Sequence, residues 1–183
     1  MQAPSGQVTV PVVRALLQEG ALAGTWALDP GRSGIRLKSK VMGLISVNGV
    51  FREVGGNGTV SPDGQVSGTV TIAAASIDTR QTRRDTHLRS ADFFDTGNYP
   101  DITFTADSAR PSGQGVAVTG ALTVRGRTRP LSFEAAASVQ GDVEIWLDAE
   151  VPINRADFGL TWNLMGMISM TNTLTIHAVF TRR

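Results

Sequence analysis

The chain has no cysteine, only two lysines (Lys38 and Lys40), one tyrosine and two histidines among its 183 residues. Without cysteine, disulfides, thiolate catalysis and zinc–sulfur sites are excluded. No apolar run approaches the roughly 20 residues a membrane-spanning helix needs, so no integral membrane segment is expected. A charge excess is missing too: 17 basic residues against 16 acidic ones leave a net charge of +1. That balance provides no large field to recruit nucleic acid or an anionic membrane. Catalytic signatures are also lacking, with no Gly-x-Ser-x-Gly elbow, no phosphate-cradling Walker loop and no His-Glu-x-x-His.

What is present is alternation with period two, bounded by turn residues. Ile35, Leu37 and Val41 alternate with Arg36, Lys38 and Lys40. Val66, Gly68, Val70, Ile72 and Ala74 share one parity, as do Val116, Val118, Gly120, Leu122 and Val124. The pattern recurs from Leu131 to Val139, from Val143 to Val151 and from Ile168 to Phe180. Turn signals at Asn48-Gly49, Gly55 to Gly58, Pro62-Asp63-Gly64, Ser112-Gly113, Arg125-Gly126 and Gly141-Asp142 punctuate the runs. Asn57-Gly58-Thr59 matches a glycosylation sequon and reads as part of such a turn. Seven to nine antiparallel strands with short turns imply a sandwich or a closed barrel, and closure leaves no long unpaired edge.

One parity is rich in small residues: Gly68, Ala74, Gly120, Ala135, Ala137, Ala149 and Ala178. An eight-stranded barrel has room inside for side chains or for a ligand, and small inward residues favour the ligand. The alternative is that they face a covering helix or a second sheet. Before the strands, residues 1–24 read as an extension, with one short helix between Pro11 and Leu22 carrying Val12, Val13, Leu16 and Leu17. It has no positively charged leading region and is broken by Pro4, Gly6 and Pro11. It does not read as a signal peptide, and the expected location is cytoplasmic. The barrel domain is expected over 25–183.

The densest chemistry lies in an insertion, Arg83 to Asp95, expected to be partly helical around residues 80–95, with Thr82-x-x-Asp85 as a capping box. Arg84, Asp85, His87 and Arg89 either form a network that holds the insertion on the barrel rim or face the polar head of a ligand; arginine suits phosphate oxygens. Phe93 and Phe94 fill apolar space against protein or ligand, and Phe158 with Trp162 has the same two readings. Met165, Met167 and Met170 are expected in the core. Arg125, Arg127 and Arg129 flank a turn and are expected in solvent. No metal site is expected, because Asp85, His87, Asp92 and Asp95 do not have compact ligand spacing.

The insertion and its surroundings resemble the YceI-like, or polyisoprenoid-binding, family of lipocalin-like barrels. The matching pieces run from Trp26-x-Leu28-Asp29-Pro30 with Ser33, through Gly49-x-Phe51 and Ala75-Ser76-Ile77-Asp78-Thr79, to Arg84-Asp85-x-His87-Leu88-Arg89-Ser90-x-Asp92-Phe93-Phe94-Asp95. Tyr99-Pro100-x-Ile102-x-Phe104, Gly120-x-Leu122-Thr123-Val124-Arg125-Gly126 and Arg155-x-Asp157-Phe158-Gly159-Leu160 continue it. The chain departs from the family in the extension and in a methionine-rich stretch, Met165 to Thr173.

The resemblance implies an all-β, antiparallel, eight-stranded barrel around an apolar tunnel. Its ligand would be an amphiphilic isoprenoid of quinone-tail or polyprenyl phosphate type, carried or sequestered without catalysis and with no cofactor besides that lipid. Leu37, Val41, Phe51, Ile72, Phe104, Leu122, Phe133, Ile145 and Ile176 are the expected lining. Phe93, Phe94, Phe158 and Trp162 form the mouth or lid, and Arg84, Asp85, His87 and Arg89 the rim or head-group contacts. A lipid-modifying enzyme using His87 and Asp85, or a ligand-free interaction barrel, is the competing reading. A homodimer is left open.

Overall fold

The structure is a computed structural model and describes residues 10–113, 115–141 and 143–183, with only the backbone of 10–12. A helix α1 (Val10–Gln18) precedes the strands β1 (Gly24–Leu28), β2 (Gly34–Val41), β3 (Ile45–Phe51), β4 (Val54–Val60), β5 (Val66–Ala73) and β6 (Ile77–Asp78). Helix α2 (Thr82–Arg89) follows, then β7 (Asp101–Ser112), β8 (Gly115–Val124), β9 (Arg127–Gln140), β10 (Glu144–Asn154) and β11 (Thr171–Arg182). All strand pairings are antiparallel, and no helix is long and apolar enough to cross a membrane among the described residues.

Eight strands close a ring in the order β1, β4, β5, β7, β8, β9, β10, β11, with β11 returning to β1. The edge of β11 that meets β1 is shared. Its C-terminal part pairs with β1 (Phe180 opposite Leu28), and residues 173–177 pair with β2 (Ile176 opposite Ile35). Between β1 and β2 the chain steps sideways. Asp29 N donates to Val179 O at 2.8 Å, and the Ser33 hydroxyl accepts from Val179 N at 3.0 Å, so the backbone of β11 stays bonded across the gap. Asp29 holds the step by accepting from Gly31 N and the Arg32 guanidinium. This explains the Trp26-x-Leu28-Asp29-Pro30 and Ser33 spacing. Beyond the step, β2, β3 and β6 extend as a flap paired to residues 173–177 of β11, outside the ring.

Several turn signals lie elsewhere than expected. Asn48-Gly49 lies inside β3, and Gly55 to Gly58, with the Asn57 sequon, lies inside β4. Gly49 leaves room for packing, since a Cβ there would stand 2.9 Å from Ile77 Cδ1; in β4 the reason is the curvature of the wall. Trp26, Gly58, Gly68, Ala106, Gly120 and Leu131 form one register row across six strands. A Cβ on Gly68 would stand 2.6 Å from Asn57 O, and one on Gly120 would stand 2.1 Å from Thr105 O. Neighbouring strands bend together so sharply here that no side chain fits. These glycines therefore serve the bend of the barrel as well as the space inside it.

Replacing Gly120 with alanine is expected to cost about 1–3 kcal/mol by overpacking against backbone. Urea unfolding would show a lower midpoint at an unchanged slope; an unaltered midpoint would mean the wall is looser than the geometry indicates.

Candidate functional site

The inward parity of the barrel encloses a cavity of about 200 Å³. Its wall includes Ile72, Phe104, Leu122, Phe133, Ile145 and Ile176, together with Ile35, Val70, Leu147 and Phe180. No charged side chain contributes to it. Three residues expected there are elsewhere. Leu37 packs partly buried against a lower core built around Ile35, Phe51, Ile77, Phe94, Val124 and Phe158. Val41 lies out on the flap next to Ile168, and buried Phe51 meets Phe94 edge-on at 5.9 Å. All three follow the inward parity of their strands, but the strands have left the barrel ring by then.

One end of the cavity is closed by α1, which the alternation does not reveal. Val13 and Leu17, one helical turn apart, and Leu22 after them are buried and face the cavity. Their i, i+4 spacing in an otherwise irregular extension is the signal in the sequence. Trp26 finishes this end. Its indole Nε1 donates to Leu22 O at 3.0 Å, and Arg182 lies over the ring at 4.7 Å while donating to Ala21 O and Ala23 O. The helix approaches the wall at Gly64, where φ is +81 and a Cβ would stand 2.9 Å from Leu17 O.

Below the opposite end of the cavity lies the lower core, into which Phe94 of the α2 insertion packs, and here the charged residues have structural partners. Asp85 is not half of a capping box with Thr82; Gln81 occupies the N-cap position and offers no side-chain bond. Buried Asp85 reaches back instead, accepting from Thr79 N at 2.9 Å and from the Thr79 hydroxyl at 2.5 Å. Arg84 grips the same residue, donating to Thr79 Oγ1 and Thr79 O. Arg89 donates to Ala75 O and Ile77 O. None of the three borders the cavity. Together they lash α2 to the strand end it follows.

His87 differs. It shares a 2.8 Å hydrogen bond with Asp92 and stands edge-on to Trp162 at 4.4 Å and to Phe93 at 5.3 Å. His87 and Trp162 form a partly exposed rim outside the cavity, over a buried Phe93, and Phe94 and Phe158 are buried in the lower core. Phe93 and Phe94 thus pack on protein.

Beneath the rim lies a residue whose role the motif alone does not disclose. Arg155, only 3% exposed, donates through Nε to Ser169 O and through Nη1 to Leu160 O and Trp162 O. Its guanidinium carbon is 5.7 Å from the Phe93 ring centroid, within cation–π range. No carboxylate pairs with it among the described residues, and burial pushes its pKa below the usual arginine range. Its role is to hold the 159–170 loop by three backbone carbonyls, and Phe93 supplies its apolar ceiling.

Replacing Asp85 with alanine leaves the Thr79 amide buried and unpaired, at an expected cost of about 1–3 kcal/mol. Replacing Arg155 with methionine orphans three carbonyls and is expected to cost more, on the order of 3 kcal/mol, with proteolysis starting in the 159–170 loop. Equal thermal stability of both variants and the parent would contradict this account.

The YceI-like domain family matches residues 26–180. Protein YceI of Escherichia coli O6:H1 is 35% identical over 138 residues, covering 71% of this chain and 72% of that one. Among solved structures, BcnA of Burkholderia cenocepacia superposes with a TM-score of 0.75 at 23% identity, over 83% of this chain and 98% of its own. A polyisoprenoid binding domain from Saccharophagus degradans superposes with a TM-score of 0.72 at 18% identity, over 86% and 98%. The eight-stranded closed barrel is common to them. With a closed apolar barrel behind a clamped insertion, and a match over 26–180, this chain belongs to the YceI-like family.

Proposed function

We propose that this protein is a non-enzymatic carrier or sequestering protein for an amphiphilic isoprenoid, of quinone-tail or polyprenyl phosphate type, whose apolar chain occupies the barrel. The observation that carries the reading is the cavity wall, which is mostly aliphatic and aromatic, with Asn57, Thr59, Ser67 and Thr69 along the β4–β5 side and no charged side chain. Burying the chain there is favourable at roughly 25 cal/mol per Å² of apolar surface, offset by the ordering of both partners. The Saccharophagus neighbour, described as polyisoprenoid binding, is consistent with it. Arg84, Asp85 and Arg89 are engaged with backbone and His87 faces aromatic rings, which favours binding over catalysis.

Size constrains the mechanism. About 200 Å³ exceeds the roughly 150 Å³ that accommodates benzene in a dry cavity, but falls short of the roughly 300–1,000 Å³ of drug-sized sites. A long chain therefore enters only if one end opens. The α1 end is the weaker: Val13 and Leu17 hold the helix by apolar burial worth roughly 1.5–3 kcal/mol each. The other end would have to break the bonds of Arg84, Asp85, Arg89 and Arg155 together. We take α1 as the lid, pivoting near Gly20.

Native mass spectrometry of gently purified protein is expected to show an organic-extractable adduct of isoprenoid mass. Its repeated absence, with no uptake of added quinone or polyprenyl phosphate, would sink the reading. Ala137→Phe, which fills the cavity, is expected to reduce uptake at least about tenfold with the fold retained. Gly64→Ala, which strains the seat of α1, should quicken exchange of bound ligand without abolishing binding; unchanged exchange would argue against α1 as the lid.

A further inference from the structure

The exposed apolar surface of this chain is gathered in one place. Of seven large hydrophobic side chains exposed among the described residues, five are Met42, Leu44 and Ile45 at the β2–β3 turn and Leu164 and Met165 in the loop before β11. Leu44 and Met165 are each 87% exposed, against the core position expected for Met165. The two segments form one surface. Met42 N donates to Met167 O at 2.7 Å, Ser169 N donates to Lys40 O at 2.8 Å, and Val41 bridges Ile168.

Both tips are built alike. Met42-Gly43 has φ values of 54 and 69, and Met165-Gly166 has 53 and 72. Each pair is closed by a bond across the turn, Leu44 N to Val41 O and Met167 N to Leu164 O. Asn, Asp or Gly ordinarily fills the first such position, where a long side chain is strained. Here a methionine is held out into solvent twice.

Charge follows the same geography. Neither 35–51 nor 158–176 contains an aspartate or glutamate. The exposed Arg36, Lys38 and Lys40 line the outer face of β2, and the last two are the chain's only lysines. The register row of Lys38 reads Pro152, Thr173, Lys38, Asn48, and Lys40 lies opposite Ser46. Carboxylates enter only in the Arg36 row, as Glu150 and as Asp78, which pairs with Arg52. Neither lysine is in an ion pair among the described residues. The near-zero net charge of the whole chain conceals this local asymmetry.

We infer that this end of the barrel docks on an anionic lipid bilayer, with the two Met-Gly turns in the interfacial layer and Lys38 and Lys40 against the lipid phosphates. Flexible apolar side chains on projecting tips, backed by long cationic ones, suit that layer. A protein interface would centre on aromatic or arginine anchors in a shaped recess, and these tips offer none. A second copy on a two-fold axis would bring these cations towards their own counterparts. The face lies at the end opposite α1, because β11 runs from Thr171 beside it to Arg182, which binds Ala21 and Ala23. Docking leaves α1 free, and the inference does not rest on what the cavity holds.

Vesicle flotation of the full chain tests it, comparing phosphatidylcholine alone with the same lipid carrying about 30% phosphatidylglycerol at roughly 0.1 M salt. The chain is expected to float with the anionic vesicles and to be released at about 1 M salt. Lys38→Gln with Lys40→Gln should weaken partitioning by about fivefold per lysine. Leu44→Asp with Met165→Asp should abolish it, while melting temperature and quinone uptake match the parent. No partitioning, or partitioning indifferent to both double variants, overturns the inference. So does a dimer by light scattering that Leu44→Asp dissociates, which would make the patch an interface between copies. Flotation without quinone uptake by the parent would count against the carrier and leave the docking face standing.

Discussion

The structure depends on the last strand dividing one of its edges between two partners. A strand in a barrel ordinarily has one neighbour on each side. β11 has β10 on one side, and on the other it has β1 along its C-terminal part and β2 along residues 173–177. The first pairing closes the ring and so creates an enclosed apolar interior. The second carries β2 and β3 away from the ring, leaving their turn projecting beyond the wall. The join is a short polar step whose Asp29 and Ser33 bond to Val179, so that β11 remains paired while its neighbour changes.

The two ends of the barrel are closed by different physics. At the α1 end the closure is mostly apolar, made by a few side chains on a helix with a close approach at Gly64. At the α2 end it is made by directional bonds from Asp85, Arg84, Arg89 and Arg155 to backbone atoms. Apolar contacts are lost and regained without an orphaned polar group, whereas buried carbonyls stripped of an arginine are not readily satisfied. This contrast is the ground on which α1 is proposed as the lid, with the bonds of Trp26 and Arg182 to residues 21–23 left as its anchor.

Much of the fold was legible because period-two alternation is local. Ile72, Phe104, Leu122, Phe133, Ile145 and Ile176 all face the cavity, since a strand within the ring keeps its inward parity along its length. The same rule placed Leu37, Val41 and Phe51 in the wall, and they are not there, because parity does not say whether a strand still belongs to the ring. Gly55 to Gly58 resembled a turn, since a glycine required by close strand approach and one required by a turn look identical in sequence. Met42-Gly43 did not resemble one, since methionine is a rare occupant of a left-handed turn. Arg155 stood within a recognised motif, yet its burial and its three carbonyl partners arise from a loop that folds back over it.

The sequence by itself determined an antiparallel all-β chain with one apolar face, the family it belongs to, and the absence of thiol chemistry. These follow from composition, alternation and motif, all of which are written residue by residue. Tertiary structure decided what the charged insertion is for, because only contact shows whether an arginine meets a ligand or a backbone carbonyl. It also decided that α1 closes the barrel, and that five apolar side chains and two lysines separated by more than a hundred residues share one face. A net charge of +1 is a sum over the chain and contains no position; the fold places no carboxylate in the register rows of the two lysines.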